Sequence, residues 1–289
     1  LCEGSVQEVM DLSAVAHLAA LETRVPFINF FDGFRTSHEY QKIEVMDQED
    51  IRPLVPMDKV SEFRNRALTP EHPVARGMAE NPETFFAHRE VCNPYYDSVP
   101  AAVEKYMAEI SKITGREYKL FSYYGAEDAE RVIICMGSVT EAAREAIDYL
   151  NAKGEKVGMV SVHLYRPFSV KHLLAAVPKT CKKIAVLDRT KEPGANGEPL
   201  YLDVKDAFYD VENRPLIVGG RYGLGSCDTT PTMIISVYDN LALPEPKDHF
   251  TVGIVDDVTF HSLPLEKEMA LGGEGIFEAK FYGLGADGT

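Results

Sequence analysis

The chain has 289 residues, 45% hydrophobic and 26% charged, and its 45 Asp and Glu outnumber 30 Lys and Arg to give a formal net charge of -15. This acidic balance disfavours nucleic acid and anionic membrane surfaces as partners, and no apolar run approaches the roughly 20 residues that a membrane span needs. The five cysteines lie far apart, without a CxxC pair or an obvious disulfide framework, which indicates a reducing, cytoplasmic compartment.

The first predicted element is a helix that begins at a capping box of Ser5 and Glu8 and reaches about Thr23. Residues 25–31 are apolar and aromatic, which is typical of a strand, and they lead into the polar stretch 32–39. A helix and a strand need a sheet to pack against, and no earlier strand is evident. We therefore expect most of a first domain to be missing.

Residues 51–100 contain seven prolines, which oppose any long helix or central strand. Interleaved aromatic and charged residues make this segment too apolar for a disordered linker, so we interpret it as an ordered connector. Pro100 then occupies the first turn of a predicted helix over 101–114, which ends at Gly115.

Strands and helices alternate in the centre of the chain. The predicted strands are 132–136, 156–164, 184–187 and 215–219. A capping box of Ser138 and Glu141 begins the helix after the first of them, Ser169 caps the next helix, and Pro231 begins the last one. This alternation predicts an α/β fold with a parallel open sheet flanked by helices on both faces.

Two prolines, Pro244 and Pro246, mark the predicted end of this sheet. Beyond them, 251–255 and 277–282 are typical of strands, and the second leads into a glycine-rich stretch at 283–289. A strand that feeds such a turn normally delivers the chain to a helix N-terminus, yet the sequence stops there. Together with the incomplete first domain, this predicts that the chain is an internal segment of a longer protein, with partial domains on both sides of the sheet.

The stretch 32–39 is the first candidate binding site, because open α/β sheets bind ligands at the carboxyl ends of their strands. It supplies Arg35, Thr36, Ser37 and His38 as candidate cofactor-binding residues. The alternative is a loop whose charges and hydroxyls satisfy one another, with His38 held as hydrogen-bonded structure. The sequence leaves both interpretations open.

Two glycine-rich stretches could cradle a phosphate through backbone amides. Residues 219–226 lack the spacing of a dinucleotide-binding fingerprint, so plain chain reversal is the favoured interpretation. The stretch at the end of the sequence supplies the candidates Gly283, Gly285 and Gly288, which follow a clean strand pattern.

Charged residues follow the third strand of the alternating region. We interpret Asp188 with Arg189, and Lys191 with Glu192, as surface ion pairs. No nucleophile lies beside a base, and neither paired catalytic carboxylates nor a metal-ligand cluster stand out. We therefore predict no catalytic residue and no metal ligand in this chain.

Several long motifs in a fixed order carry a family resemblance. They are FDGFRTSHE at 31–39, NPYY at 93–96, ERVII at 130–134, LYRPF at 164–168, LDRTKEPG at 187–194 and FYGLGADGT at 281–289. Because of them the chain resembles pyruvate:ferredoxin (flavodoxin) oxidoreductase from end to end. The resemblance implies an enzyme that decarboxylates pyruvate on thiamine diphosphate with Mg, passes electrons through 4Fe-4S clusters to ferredoxin or flavodoxin, and releases acetyl-CoA after reaction with coenzyme A.

The resemblance also implies three parts. Residues 1–85 would be the tail of the pyrimidine-binding domain with its connector, 86–245 a domain like the C-terminal domain of transketolase, and 246–289 the start of a truncated third domain. Its partners would be the remaining domains of the parent chain, a second copy in a homodimer, and ferredoxin or flavodoxin. The cluster cysteines and the Gly-Asp-Gly cofactor motif of the family are not in this sequence, so we expect a mainly structural piece that holds no cofactor and has no turnover alone.

Three alternatives stay open at this point. The chain could be a non-catalytic assembly module, part of a related 2-oxoacid:ferredoxin oxidoreductase that acts on another keto acid, or an independent nucleotide-binding protein that uses residues 219–226.

Overall fold

The computed structural model describes residues 1–75, 77, 79–269, 271, 275–277, 279, 282 and 283. Its strands are β1 (Cys2–Glu3), β2 (Phe30–Phe31), β3 (Phe121–Gly125), β4 (Arg131–Cys135), β5 (Val157–Val162), β6 (Lys183–Asp188), β7 (Leu216–Arg221) and β8 (Phe250–Thr251). Its helices are α1 (Val6–Thr23), α2 (Gln48–Ile51), α3 (Met57–Asn65), α4 (Pro82–Glu90), α5 (Asn93–Thr114), α6 (Val139–Ala152), α7 (Val170–Ala176), α8 (Pro199–Ala207) and α9 (Pro231–Ala242). None of the helices in these ranges has the length and apolarity that crossing a membrane requires.

A six-stranded sheet lies at the centre of the fold, with the strand order β3-β5-β4-β6-β7-β8. All neighbouring strands are parallel except β3 and β5, which are antiparallel. β4 and β6 are buried along nearly their whole length, because helices cover both faces of the sheet and apolar side chains are needed on both. The predicted α/β fold is therefore confirmed.

The two edges of the sheet differ from the prediction. β3 has no counterpart in the sequence analysis, although it pairs with β5 over its full length. The predicted end of the sheet near Pro244 is wrong, because Phe250 and Thr251 form β8 and pair with β7. The strand predicted over 251–255 overlaps β8 at Thr251, but local sequence does not show that this strand pairs with β7.

The first residues form a small parallel pair of strands. Cys2 lies opposite Phe30, and Glu3 lies opposite Phe31. The expectation that no strand precedes α1 is therefore wrong, and the strand predicted over 25–31 is too long. Pro26 is one reason, because proline cannot donate a hydrogen bond to a neighbouring strand.

Helix α5 is the main departure in the connector. It begins at Asn93, so Pro94 rather than Pro100 occupies its first turn, and Pro100 lies inside the helix. Val103 and Ile110 of α5 are fully buried in the core beside α1. This packing outweighs the single intrahelical hydrogen bond that Pro100 cannot make, which is why a long helix forms where the prolines oppose it.

One hydrophobic cluster extends from α1 to the centre of the sheet. It contains Leu12 and Val15 of α1, Ile110 of α5 and Ile134 of β4, each with 0% of its surface exposed. A second cluster, which includes Ile147 of α6, covers the other face. Because burial of apolar surface is the dominant favourable term in folding, α1 and the sheet stabilise each other.

The two predicted capping boxes have different outcomes. At α1 the Ser5 hydroxyl accepts from the Glu8 N–H at 3.2 Å, so the predicted Ser5 cap is confirmed, whereas the Glu8 carboxylate accepts at 2.7 Å from the N–H of Gly4, one residue before the N-cap. At α6 the Ser138 side chain makes no capping hydrogen bond, so that prediction is wrong. The Ser138 N–H instead donates to the Asp32 carboxylate at 2.6 Å.

Paired alanine substitutions distinguish the two helix starts. Ser5→Ala is expected to lower the free energy of unfolding by about 1 kcal/mol, because it removes an acceptor for a backbone N–H. Ser138→Ala is expected to change it by less than about 0.5 kcal/mol, because the hydroxyl caps nothing. Urea unfolding followed by circular dichroism measures both, and equal losses would contradict this account of α6.

Candidate functional site at the carboxyl edge of the sheet

The loop of residues 32–39 lies over the carboxyl ends of the parallel strands. Asp32 contacts Ser138, which follows β4, and Arg189, which follows β6. Arg35 forms an ion pair with Asp228, which follows β7. The structure thus places the first candidate stretch where ligands bind in open α/β sheets.

The polar groups of this loop are largely paired within the chain. The Thr36 hydroxyl donates to the Gly4 carbonyl at 3.4 Å, and the Ser37 hydroxyl accepts from the Phe34 N–H at 2.9 Å. The Ser37 hydroxyl also lies 2.7 Å from Nδ1 of His38, whose ring stacks on Phe34 at a centroid distance of 5.0 Å. Arg35, Thr36, Ser37 and His38 are therefore brought together, and these contacts hold the loop in shape.

Two small cavities flank this loop. One of about 240 Å³ lies between β2 and the strand ends and is lined by Cys2, Asp188 and Arg189 among others. The other, of about 220 Å³, lies towards α6 and α9 and includes Arg35 and Glu141 in its wall. Each is smaller than the roughly 300–1,000 Å³ that ligand pockets usually offer.

Asp188 and Arg189 are not a surface ion pair, so that interpretation is wrong. Asp188 is 2% exposed, and its carboxylate accepts from the Leu200 and Tyr201 N–H groups at 3.0 and 3.1 Å, which caps α8. Burial raises the pKa of Asp188 to about 6, although the two backbone hydrogen bonds act in the opposite direction. Arg189 turns instead towards Asp32, at 2.7 Å.

The glycines at 219–226 serve packing and chain reversal. A Cβ atom on Gly219 would lie 3.0 Å from the Tyr201 ring, and one on Gly220 would lie 2.2 Å from the Phe250 ring. Gly223 has a φ of 63°, in the left-handed region that favours glycine. The first two glycines therefore make room for aromatic side chains that hold α8 and β8 against the sheet.

Alanine at Gly220 tests the packing role. Gly220→Ala is expected to lower the free energy of unfolding by about 1–3 kcal/mol, because the added methyl group overlaps the Phe250 ring. Gly33→Ala is the control, since no atom lies within 4 Å of the position a Cβ would take there. A Gly220→Ala variant as stable as the control in urea would contradict the packing role.

The remaining candidate residues are the glycines near the end of the sequence. Gly283 is described, outside any helix or strand, whereas Gly285 and Gly288 lie outside the described residues, as does much of the strand predicted over 277–282. Within the described part of the chain, no group of three His, Cys, Asp or Glu side chains is arranged to hold a metal ion.

Glu3 is a buried acid that the sequence analysis missed. Its side chain is 0% exposed, and neither carboxylate oxygen has a hydrogen-bond partner in the described structure. Burial raises the pKa of Glu3 to about 8, and the nearby charge of Glu8 acts in the same direction. The local sequence gives no signal, because burial of β1 depends on strands and helices far along the chain.

Glu3 makes stability depend on pH in a defined direction. The ordinary Glu3 pKa of 4.5 applies in the unfolded chain, and a pKa of about 8 applies in the folded chain. Between these two pH values the folded chain therefore keeps a proton that the unfolded chain has released. Stability contributed by this group is therefore lost progressively as pH rises from 4.5 to 8. Glu3→Gln is expected to remove this slope and to raise the free energy of unfolding at pH 8 by on the order of 4 kcal/mol relative to the parent chain.

Urea unfolding at pH 5 and pH 8 measures the difference. Glu127→Gln, at an exposed position, is the matched control and should retain the parent's pH dependence. A Glu3→Gln variant that follows the same pH dependence as the control would show that Glu3 is not the titrating group.

Two family models match the chain in order. Residues 1–108 match the model described as "Pyruvate flavodoxin/ferredoxin oxidoreductase, thiamine diP-bdg", and residues 129–234 match "Pyruvate:ferredoxin oxidoreductase core domain II". The chain is therefore homologous to thiamine diphosphate-dependent 2-oxoacid oxidoreductases.

The curated relatives specify the homology further. The chain is 61% identical over 290 residues to the pyruvate-flavodoxin oxidoreductase of Enterobacter agglomerans and 55% identical over 289 residues to the pyruvate:ferredoxin oxidoreductase of Moorella thermoacetica. Each alignment covers 100% of this chain and 25% of the relative, so the chain spans about a quarter of the length of these enzymes. The resemblance to pyruvate:ferredoxin (flavodoxin) oxidoreductase is confirmed.

A more distant likeness comes from a solved structure. The 2-oxoglutarate:ferredoxin oxidoreductase of Magnetococcus marinus, with 2-oxoglutarate, coenzyme A and succinyl-CoA bound, has 18% sequence identity and a TM-score of 0.36. That likeness covers 74% of this chain and 32% of the other.

The family models correct one expectation. The chain is not centred on a domain like the C-terminal domain of transketolase, because its two matched segments are a thiamine diphosphate-binding domain and core domain II. The first match also extends to residue 108, past the connector and into α5.

The loop 32–39 uses its polar groups within the chain, and the cavities beside it are small. A larger groove of about 630 Å³ beside β2 is lined mainly by apolar side chains, including Val25, Phe27 and Tyr96. A diphosphate needs a cation or several donors, and Arg166 is the cation among the residues that line this groove.

Proposed function

We propose that this chain is part of a pyruvate:ferredoxin or pyruvate:flavodoxin oxidoreductase. The complete enzyme would oxidise pyruvate to acetyl-CoA with thiamine diphosphate and coenzyme A, and would pass electrons through 4Fe-4S clusters to ferredoxin or flavodoxin. The observation that carries the proposal is the 61% and 55% identity to such enzymes over the entire chain.

The role we assign to this piece is mainly structural. Loop 32–39, from the segment that matches the thiamine diphosphate-binding model, is held by Ser138 and Arg189, which belong to the segment that matches core domain II. The piece would thereby fix one part of the enzyme against another. We further propose that Mg, a homodimer and a cytoplasmic location belong to the complete enzyme, and that residues 1–85, 86–245 and 246–289 belong to three of its domains.

An exchange experiment tests the proposal. The matching quarter of the Moorella thermoacetica enzyme is replaced by this chain, and pyruvate-dependent reduction of a viologen dye is measured with coenzyme A, thiamine diphosphate and Mg. We expect the chimera to keep activity within roughly tenfold of the parent, because the replaced segment is 55% identical. We expect no turnover from the 289-residue chain alone, since most of the enzyme is not in it.

The control is the same enzyme with that quarter deleted. A chimera that folds and binds thiamine diphosphate but does not reduce the dye with pyruvate would contradict the assigned substrate, and the same chimera offered other 2-oxoacids would then identify a related oxidoreductase. Turnover by the isolated chain would contradict the structural role.

Non-catalytic assembly is the second candidate function, and α3 and α4 favour it. Neither helix has a buried residue, yet Phe63, Phe85 and Phe86 are 68%, 53% and 71% exposed. Exposed aromatic residues of this kind commonly mark contacts between polypeptides. Sedimentation equilibrium distinguishes the two candidates, because a stable dimer of the chain favours assembly and a monomer favours packing within one longer polypeptide.

A further inference from the structure

The carboxylate of Asp32 is held by two separate donors. Its Oδ2 accepts from the Ser138 N–H at 2.6 Å, at the start of α6, and its Oδ1 accepts from the Arg189 guanidinium at 2.7 Å. The Asp32 and Arg189 side chains are 17% and 21% exposed, so this contact is largely shielded from water. Charge-assisted hydrogen bonds of this kind are about twice as strong as neutral ones.

We propose that the start of α6 and Arg189 form a carboxylate-binding site that the chain fills with its own Asp32. Asp32 is then the positioning residue that fixes loop 32–39 over the carboxyl edge of the sheet. This inference goes beyond the proposed function, because it holds whatever reaction the complete enzyme performs.

The backbone around the site is shaped for a close carboxylate. Gly137 has a φ of 81°, and a Cβ atom there would lie 2.5 Å from Oδ2 of Asp32, so any other residue would push the carboxylate away. The helix that follows has 14 residues, and the partial positive charge at its N-terminus adds to the attraction. The end of β4, Gly137 and the start of α6 therefore leave room for an anion but not for a side chain at residue 137.

The cation of the site is itself held in place. Nε of Arg189 donates to the Gly223 carbonyl at 3.1 Å, while Nη1 reaches Asp32 at 2.7 Å. A Cβ atom on Gly223 would lie 3.0 Å from Nε, so the glycine leaves room for the Arg189 side chain beside the turn after β7. A guanidinium fixed on one side presents its remaining donors in a defined direction, which suits a carboxylate.

This arrangement places a carboxylate of the chain at a position that suits a bound anion. In open α/β sheets an anionic ligand group takes the position next to the glycine turn and the helix N-terminus. Here the Asp32 carboxylate takes that position. The Arg35–Asp228 pair also attaches the loop, but Asp228 is 74% exposed, and exposed pairs contribute little.

Chemical rescue tests the proposal on the 289-residue chain. Asp32→Ala leaves the Ser138 N–H and Arg189 without their carboxylate and is expected to lower Tm by roughly 4–8 °C. Added formate should then raise Tm saturably, because formate supplies a carboxylate of the missing size. For Asp32→Gly, acetate should do the same, since its methyl group replaces the missing Cβ.

Sodium chloride at equal ionic strength is the salt control, and Asp228→Ala is the matched variant, because it removes the other ion pair of the same loop. We expect formate to raise Tm of the Asp32 variants by at least about half of the loss and to leave the parent and Asp228→Ala unchanged relative to chloride. A response no larger than with chloride, or an equal response of Asp228→Ala, overturns the proposal.

If Asp32→Ala does not fold, Asp32→Asn provides the second test. Its amide keeps the side-chain shape but has no charge for Arg189, so hydrogen–deuterium exchange at Ser138 and the first turn of α6 should become at least about tenfold faster. Unchanged exchange in Asp32→Asn would overturn the proposal as well.

Discussion

The Asp32 carboxylate is the contact on which the arrangement of the carboxyl edge depends. A largely buried charge must find donors when water is removed, and Ser138 and Arg189 supply them from the ends of two different strands. The need to satisfy one anion therefore links β2 to the ends of β4 and β6, which already pair with each other in the sheet. Loop 32–39 and the small cavities on either side of it follow from that relation.

The hydrophobic cluster that α1 shares with the sheet stabilises the same arrangement. Leu12 of α1 and Ile134 of β4 belong to the same hydrophobic cluster, although they lie in segments that match two different family models. Burial of apolar surface supplies the free energy that holds these two segments together. The Asp32 contact fixes their position relative to each other. These two interactions join the segments within a chain that spans about a quarter of the length of its curated relatives.

The sequence predicts those parts of this structure that local patterns determine. The helices α1, α6 and α9 and the strands β4 to β7 follow from periodicity, apolar runs and turn residues. β1, β2 and β8 have two residues each, and their pairing depends on partners that local windows do not contain. At α6 the Ser138 and Glu141 pattern misleads, because the true cap comes from Asp32, 106 residues away. Loop 32–39 was placed at the correct edge by the sequence, whereas the burial of Glu3 and Asp188 depends on tertiary packing.

Native-state hydrogen exchange in increasing urea tests the central claim most directly. If α1 and the sheet share one hydrophobic core and Asp32 links them, the slowest amides of α1 and of β4 should exchange through the same unfolding event. Their free energies of exchange and their urea dependence should then be equal. Exchange of α1 at a markedly lower free energy, while β4 and β6 stay protected, would contradict the account by showing that the two segments are held together only loosely.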